Sequence, residues 1–438
     1  MKNATMAKSI VFSYFWVLAV GLGIFVLKLS LMKQLPVEEY ALFDYAYGLI
    51  TLFAFVGTLG LPYMTVRFVS QGYSPESIKS HFFSIIKFSV PLVALGFLGL
   101  WHLTLGGDYS TLLFALLCTI GLIVFNQYLA VFKGFKEYVT TGFRYRTLMV
   151  AAFLILSFVV LGVLKVRSAQ AVLLLFSLIL FLFILLTGLG HRRLSLAAHV
   201  KGIRRNRLLT YGLSMFALGV NGELIRNIDK IFVARLLDLK QLGIYSAALV
   251  FVIPFALLCH VIETVMYPYL KENVNLKKVM RSACIAAIGI GALYFLLIDE
   301  VIGFLVHSGL LNAGYLASVP AIKILSLGFS TLLIYAVSAS TVIYSASRTQ
   351  LWKIFGWTLF FGPVLGIVLN YLFVKRWGLL GAAYATDICL FLRALVWTVF
   401  AVPYFRLRSR AVALPPPTTE AVHGESERTM AKSSSGAL

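Results

Sequence analysis

The chain has 438 residues, of which 60% are hydrophobic and only 13% are charged, and its mean hydropathy is +0.91. These values exclude an ordinary soluble globular protein. The formal net charge of +21 does not indicate nucleic-acid binding, because the sequence contains no soluble domain with a basic patch. In a membrane protein the same excess is expected when lysine and arginine accumulate in the loops on one side of the bilayer.

Apolar runs of about 20 residues predict about twelve membrane-spanning helices. We place them at residues 9–32, 40–61, 81–100, 111–132, 145–164, 169–190, 208–236, 242–266, 279–298, 320–345, 351–374 and 379–402. If the N-terminus is inside, the inner segments carry about 23 lysine and arginine residues and the outer segments about 7. This bias predicts that both termini are cytoplasmic.

The segments between and after the spans divide the chain. The predicted parts are an N-terminal six-helix bundle (1–190), a basic cytoplasmic linker (191–207), a C-terminal six-helix bundle (208–403) and a disordered cytoplasmic tail (404–438). The tail is rich in Pro, Ser and Thr, which is typical of disorder. The four cysteines lie singly in apolar runs, so the sequence indicates neither a metal site nor a disulfide framework.

The stretch 208–250 is apolar enough to span a membrane, yet it carries Glu223, Arg226, Asp229 and Lys230 close together. At 100° per residue, Glu223, Arg226 and Lys230 share one side of a helix, and Asp229 lies one turn from Arg226. Ions at bilayer depth are costly unless they face each other or a watery cavity. The cluster therefore predicts either a polar cavity inside a helical bundle or a charge network that only locks two helices together.

A repeat supports the division into halves. LPVEEYALFDYA from Leu35 aligns without gaps with LDLKQLGIYSAA from Leu237, an offset of 202 residues. Because six spans separate the copies, the halves would be parallel and related by an axis along the membrane normal. The predicted fold is an all-α polytopic membrane protein, with about 12 transmembrane helices in two six-helix bundles around a central cationic cavity. Lys28 and the Glu223–Lys230 cluster would line that cavity.

Three segments carry a family resemblance. LPVEEYALFDYAYGLITLFAFVGTLGLPYMTVRFVS resembles the first-loop and second-helix signature of the polysaccharide transporter family, within the multidrug/oligosaccharidyl-lipid/polysaccharide exporter superfamily. NIDKIFVARLLDLKQLGIYSAALVFVIP resembles the seventh-to-eighth-helix signature of that family, and GLLGAAYATDICLFLRAL resembles the start of its twelfth helix. The likeness extends in order and spacing to about Tyr404. Ala41, where the family commonly has glycine, and the tail depart from it.

The resemblance implies a Wzx-type flippase, which moves an undecaprenyl-diphosphate-linked oligosaccharide such as an O-antigen repeat unit from the cytoplasmic to the periplasmic leaflet. It also implies a V-shaped pair of bundles, alternating access and a place in the bacterial inner membrane. The partners implied are the lipid-linked glycan, membrane lipids, a polysaccharide polymerase and chain-length proteins. Neither enzymatic activity nor nucleic-acid binding is expected.

An anionic lipid diphosphate needs fixed cations in a hydrated cavity to cross a membrane. The cations predicted to contact it are Lys28, Arg67, Arg226, Lys230, Lys323 and Arg393. No phosphate-binding loop of the GxxxxGK[ST] type is present, which favours coupling to a gradient of H⁺ or Na⁺ and predicts no cofactor. The candidates for binding that ion, or for a charge network, are Glu223, Asp229, Glu263 and Asp387.

Several of these residues have simpler alternatives. Arg226 and Lys230 could pair with Glu223 or Asp229 merely to neutralise charge. Lys28 lies near the end of its span and could extend its ammonium group to the membrane surface. Glu263 could make a helix–helix hydrogen bond instead of binding an ion.

Two other functions compete with the flippase. A cation-coupled multidrug or small-molecule exporter of the same superfamily would need an acidic rather than a cationic cavity. A membrane polysaccharide polymerase or ligase would need a sizeable outer loop, and every predicted outer loop is short. The excess of buried lysine and arginine favours the flippase.

Overall fold

The computed structural model of the protein describes residues 2–135, 139–195, 202–269, 276–345 and 348–413. Within these ranges the regular secondary structure is helical, with short turns between the helices and without a β-strand. In chain order the helices are α1 (Lys2–Gln34), α2 (Val37–Thr58), α3 (Leu61–Ser70), α4 (Pro75–Thr104), α5 (Tyr109–Gly134), α6 (Val139–Phe158), α7 (Ala169–Ser195), α8 (Arg205–Leu236), α9 (Leu239–Phe251), α10 (Ile253–Tyr269), α11 (Leu276–His307), α12 (Val319–Ser330), α13 (Leu332–Ser345), α14 (Arg348–Leu359) and α15 (Leu365–Ala413). Turns of π-helix extend α6 over Val159–Val163 and join α14 to α15 over Phe360–Val364, and a 3₁₀ helix, Ala313–Ser318, precedes α12.

Nine helical stretches within the described ranges are long and apolar enough to cross a membrane. The two arms of α8, which meet at an angle of 43°, make a tenth if they form one crossing. One of the nine covers residues 350–405, 56 residues in all, whereas about 20 suffice to cross a bilayer. Gly378 interrupts it with φ 58° and ψ −135°, close to the boundary predicted between the last two spans. The all-α membrane fold is confirmed, and the count of about twelve spans stays a prediction.

Breaks inside predicted spans are the main difference from the sequence analysis. The predicted span 242–266 is divided at Val252, and Pro254, which has no backbone N–H, is the second residue of the next helix. The span 320–345 is divided at Thr331, whose hydroxyl donates to the Gly328 carbonyl at 2.6 Å. Hydropathy does not detect such breaks, because the residues on both sides are equally apolar.

The short helix α3 was not predicted, and its position matters for the site. Leu59 and Gly60 both have positive φ, 49° and 71°, and they turn the chain between α2 and α3. A side chain at Gly60 would come within 2.7 Å of the Phe216 backbone nitrogen on α8, so only glycine allows this close approach. The turn therefore fixes the start of α3 directly against α8.

The N-terminal part of the chain (α1–α7) contacts the C-terminal part (α8–α15) mainly through α2. On one side α2 packs against α4, α5 and α7, and on the other side it packs against α8 and α9. Helix α8 in turn packs against α2 and α3 as well as against α15. The two parts of the chain are therefore joined along the α2–α8–α9 surface.

One end of this surface is closed by direct contacts. We call it the Val37 end, and it contains Val37, Tyr40, Gly243, Gly314 and Tyr315. The rings of Tyr40 and Tyr315 meet edge to face with their centroids 6.1 Å apart, and both are fully buried. Val37 lies against Gly243 and Gly314. Residues from both parts of the chain thus seal the end of the bundle at which α2 begins.

Helix extends into both ends of the predicted linker 191–207, because α7 continues to Ser195 and α8 begins at Arg205. Residues 196–201 lie outside the described ranges. The predicted tail from residue 404 is helical as far as Ala413, and the remainder of that prediction, 414–438, also falls outside them.

Candidate functional site

A buried ionic triad lies in the interior, about 10 Å from the start of α2 at 1.5 Å per residue. The Asp44 carboxylate on α2 accepts from Lys28 Nζ on α1 at 2.5 Å and from Lys230 Nζ on α8 at 2.6 Å. Asp44 is fully buried, and Lys230 is nearly so. Because desolvated charges need partners, the shared carboxylate explains how two lysines are tolerated at this depth.

The sequence repeat gives this triad an internal symmetry. At the offset of 202 residues that relates the two halves, Lys28 is equivalent to Lys230 and Asp44 is equivalent to Ser246. Ser246 is fully buried, and its hydroxyl makes no hydrogen bond to the described residues. Two equivalent lysines therefore converge on a single aspartate that only the first half supplies.

A band of polar side chains continues from the triad toward the end at which α2 ends. The Lys28 ammonium lies 5.5 Å from the centre of the Tyr47 ring, one turn along α2 from Asp44. The Tyr47 hydroxyl is close enough to Arg146 and Glu223 to interact with their charges. The triad is thus continuous with charged groups on α6 and α8.

Arg226 and Glu223 form the middle of this band. Arg226 Nη1 lies 3.1 Å from Glu223 Oε1, yet the Arg226 side chain is 62% exposed and that of Glu223 is 18% exposed. Both groups interact electrostatically with the Tyr63 hydroxyl at the start of α3, as do Arg146 and Glu263. An arginine exposed among charges from several helices lies in a cavity rather than in lipid, because lipid would not solvate that set of ions.

Arg393 and Tyr335 form the far side of the band. Arg393 Nη2 donates to the Tyr335 hydroxyl at 2.8 Å, and the guanidinium carbon lies 4.2 Å from the centre of the Tyr335 ring. Arg393 Nε is buried and makes no hydrogen bond to the described residues. Glu263 lies within electrostatic range of Tyr335 and is 3.4 Å from His260 Nδ1. We call the residues from Tyr47 to Arg393 the polar band; they are Tyr47, Tyr63, Arg146, Glu223, Arg226, Glu263, Tyr335 and Arg393.

Asp229 occupies a separate buried pocket beside the triad. Its Oδ2 accepts from the Tyr245 hydroxyl at 2.6 Å and from the Thr386 hydroxyl at 3.1 Å, and its Oδ1 accepts from the Lys230 backbone N–H at 2.7 Å. Asp387, next in sequence to Thr386, lies against Gly328 of α12, and its Oδ1 is buried without a hydrogen-bond partner among the described residues. These two carboxylates are held by neutral groups, unlike Asp44.

The structure brings together most of the residues predicted for the site. Six of the ten lie in the triad or the polar band: Lys28, Lys230, Glu223, Arg226, Glu263 and Arg393. Lys323 instead pairs with Asp299, which is exposed, and Arg67 is exposed with its guanidinium 5.4 Å from the centre of the Tyr211 ring. Among the described residues, neither makes a hydrogen bond or an ion pair with the triad or the band.

Sequence reasoning missed Asp44, Arg146 and Tyr63. Asp44 could have been found from the hairpin: Lys28 precedes the turn at Leu35 by about as many residues as Asp44 follows it, so antiparallel helices place both at one depth. Arg146 lies at the inner end of the predicted span 145–164 and Tyr63 lies just after the predicted span 40–61, so hydropathy places both at the membrane surface. Their nearness to the charges of α8 depends on tertiary packing, such as that of α3 on α8, which local sequence does not specify.

The fold and its ionic interior define a polytopic membrane protein with paired charges buried inside a bundle of helices. The lipid II flippase MurJ, in an inward closed conformation, aligns with a TM-score of 0.63 and 15% identity over 90% of this chain and 87% of that one. A multidrug resistance MATE family transporter of the MOP superfamily, outward-facing, aligns with a TM-score of 0.59 and 12% identity over 92% of this chain and 96% of that one. Identities this low show the shared fold alone.

A third solved structure also shares this fold. It is a MOP superfamily transporter from Pyrococcus furiosus Vc1, for which a reverse polarity of the binding pocket suggests a different function. It aligns with a TM-score of 0.58 and 13% identity over 93% of this chain and 97% of that one. A comparison with curated protein sequences finds no match.

The family is shown by sequence. A family model described as polysaccharide biosynthesis protein matches residues 8–274, which is more than half of the chain. The chain belongs to this family, which confirms the resemblance found in its first and seventh-to-eighth-helix segments.

Proposed function

We propose that this protein is a flippase that moves a polyprenyl-diphosphate-linked glycan, such as an undecaprenyl-diphosphate-linked O-antigen repeat unit, from one leaflet of the bacterial inner membrane to the other. The observation that carries the proposal is the polar band, in which Arg226 pairs with Glu223 on α8 and the Arg393 guanidinium of α15 lies beside Gly222, also on α8. Guanidinium groups suit a diphosphate because they form bidentate hydrogen bonds to its oxygens. Membership of a polysaccharide biosynthesis family supports a glycan as the attached group.

The direction of access follows from the same arrangement. The Val37 end is sealed by Tyr40 and Tyr315, while the polar band extends toward the opposite end. The distribution of basic residues predicts that the opposite end faces the cytoplasm. The described conformation would therefore receive substrate from the cytoplasmic side, and opening of the Val37 end would release it to the periplasm.

The test is deletion of the gene in the source bacterium, followed by return of wild-type or variant protein. Deletion should reduce surface glycan and cause the lipid-linked intermediate to accumulate, and the wild-type protein should reverse both. Normal surface glycan without accumulation of intermediate, at unchanged growth, would contradict the flippase function. A drug-efflux assay in the same strains tests the exporter, which the carboxylates Glu223 and Glu263 in the band keep as the second candidate.

Arg226→Glu should reduce export at least tenfold, because reversing this exposed charge puts two carboxylates side by side where the anionic diphosphate must bind. Surface glycan per protein molecule in the membrane is the measurement. Arg235→Glu is the matched control, since Arg235 is exposed in the last turn of the same helix and lies outside the band. Loss of the Arg226→Glu protein from the membrane, with export per molecule unchanged, would mean that Arg226 has only a structural role.

We also propose that Asp229 binds the coupling ion, H⁺ or Na⁺, because its buried carboxylate is held by hydroxyl groups and adjoins Lys230 of the triad. Uptake of a cation there would leave the Lys230 charge less compensated and so favour an anionic substrate. Asp229→Asn should therefore flatten the dependence of flipping on pH or Na⁺, measured in proteoliposomes with an imposed gradient. An unchanged dependence would remove Asp229 from this role.

A further inference from the structure

Tyr63 differs from an ordinary interfacial tyrosine. Its side chain is 58% exposed, although the start of α3 is held tightly against α8 by the Leu59–Gly60 turn. A tyrosine in an interfacial belt has an apolar ring against lipid and a polar tip in water. Tyr63 instead presents its ring beside the charged groups of the polar band.

Those groups come from three helices other than its own. Arg146 of α6, Glu223 and Arg226 of α8, and Glu263 of α10 all lie within electrostatic range of the Tyr63 hydroxyl. The set holds two guanidinium groups, which donate hydrogen bonds, and two carboxylates, which accept them. An exposed tyrosine ring with donors and acceptors around it offers a ligand one apolar face to pack on and polar groups at the edge of that face.

A pyranose ring has that complementary chemistry. One face of the sugar presents C–H groups that pack on an aromatic ring, and its rim carries hydroxyls that both donate and accept hydrogen bonds. Tyrosine is suited to this contact because its flat ring gives a large rigid area at low entropic cost. The diphosphate of the same substrate would bind to the arginines. It has no apolar face to pack on the ring, and its negative charge repels the two carboxylates.

We infer that Tyr63 is the platform on which a sugar of the lipid-linked glycan stacks, with Glu223 and Glu263 accepting hydrogen bonds from its hydroxyls. This inference rests on the proposed function and adds to it the residue that distinguishes a glycosylated lipid diphosphate from a bare one. Stacking makes the site selective for the glycosylated lipid diphosphate. The same lipid diphosphate without sugar would bind more weakly, and the protein would not carry it back to the other leaflet.

The experiment compares two ligands on purified protein in detergent. One is the lipid-linked glycan that accumulates in the deletion strain, and the other is undecaprenyl diphosphate without sugar. Wild type should bind the glycosylated lipid about tenfold more tightly, which corresponds to about 1.4 kcal/mol. Tyr63→Leu should abolish this preference, chiefly by weakening the binding of the glycosylated lipid, and Tyr63→Phe should keep it because the ring is retained.

Tyr109→Leu is the matched control, because Tyr109 is 62% exposed at the start of α5 and lies outside the band. Equal affinity of wild type for the two lipids, or a preference that survives Tyr63→Leu, would overturn the stacking role and leave the flippase intact. Failure of the deletion strain to accumulate any lipid-linked glycan would overturn the proposed function and the inference with it. The two failures are therefore distinguishable.

Discussion

Asp44→Asn should abolish glycan export and strongly lower the thermal stability of the protein. Asp44 is fully buried and is the partner of both Lys28 and Lys230, at 2.5 and 2.6 Å. Removing one member of a buried ion pair typically costs about 3–5 kcal/mol, because the remaining charge is left without compensation. Here two ammonium groups lose their carboxylate at once. The measurements are surface glycan in the deletion strain and the unfolding temperature of the purified protein in detergent.

Two further variants separate stability from function. Lys28→Met keeps the Asp44–Lys230 pair and should cost less than Asp44→Asn. The triple variant Lys28→Met, Asp44→Leu, Lys230→Met removes all three charges, so its stability should return close to that of the wild type. Export should not return, because the triad adjoins the substrate space through Tyr47. Wild-type export by the triple variant would show that the triad is only structural.

A reversible cross-link across the Val37 end should stop transport while it is oxidised. A side chain built at Gly314 would lie 3.4 Å from Val37 Cγ2, and a disulfide needs Cβ atoms about 3.5–4.5 Å apart. Val37→Cys and Gly314→Cys would therefore bring two thiols within reach of each other across this end. Because these residues belong to opposite parts of the chain, the bond would prevent their separation and hold the Val37 end closed.

The measurement is flipping of lipid-linked glycan in proteoliposomes before oxidation, after oxidation and after reduction. Each single cysteine variant serves as a control for the substitution itself, and three of the four native cysteines are buried, which limits competing bonds. We expect loss of flipping on oxidation and recovery on reduction. Undiminished flipping by fully cross-linked protein would show that this end does not open during transport.

The sequence was sufficient for the membrane fold, the repeat and the charged interior. Periods and run lengths specify helices locally, and an ion at bilayer depth must face a polar interior wherever its partners lie. That is why Glu223, Arg226 and Lys230 could be assigned to the interior before their contacts were known. The lengths of the apolar runs also explain why the boundary predicted between the last two spans agrees with the break at Gly378.

The sequence alone did not predict which carboxylate pairs with which lysine. Lys230 has Asp229 beside it in sequence, yet its ammonium pairs with Asp44, 186 residues away. Asp229 accepts instead from Tyr245 and Thr386. Adjacent residues on a helix point about 100° apart, so sequence neighbours rarely face each other. Which carboxylate meets which lysine is decided by the docking of α8 on α2, and a single sequence does not encode that register locally.

The shared aspartate also has a consequence for how the protein is made. Lys28 and Asp44 lie on the adjacent helices α1 and α2, and both leave the ribosome before Lys230, so this pair can neutralise itself within the lipid before α8 is synthesised. Lys230 enters the bilayer later, and its side-chain partner already sits on a helix of the earlier half. The first half can therefore be integrated on its own, whereas integration of the second is completed only by docking on the first. Biogenesis of this chain has a direction, and a C-terminal half expressed alone would present the insertion machinery with a lysine whose counter-charge is missing.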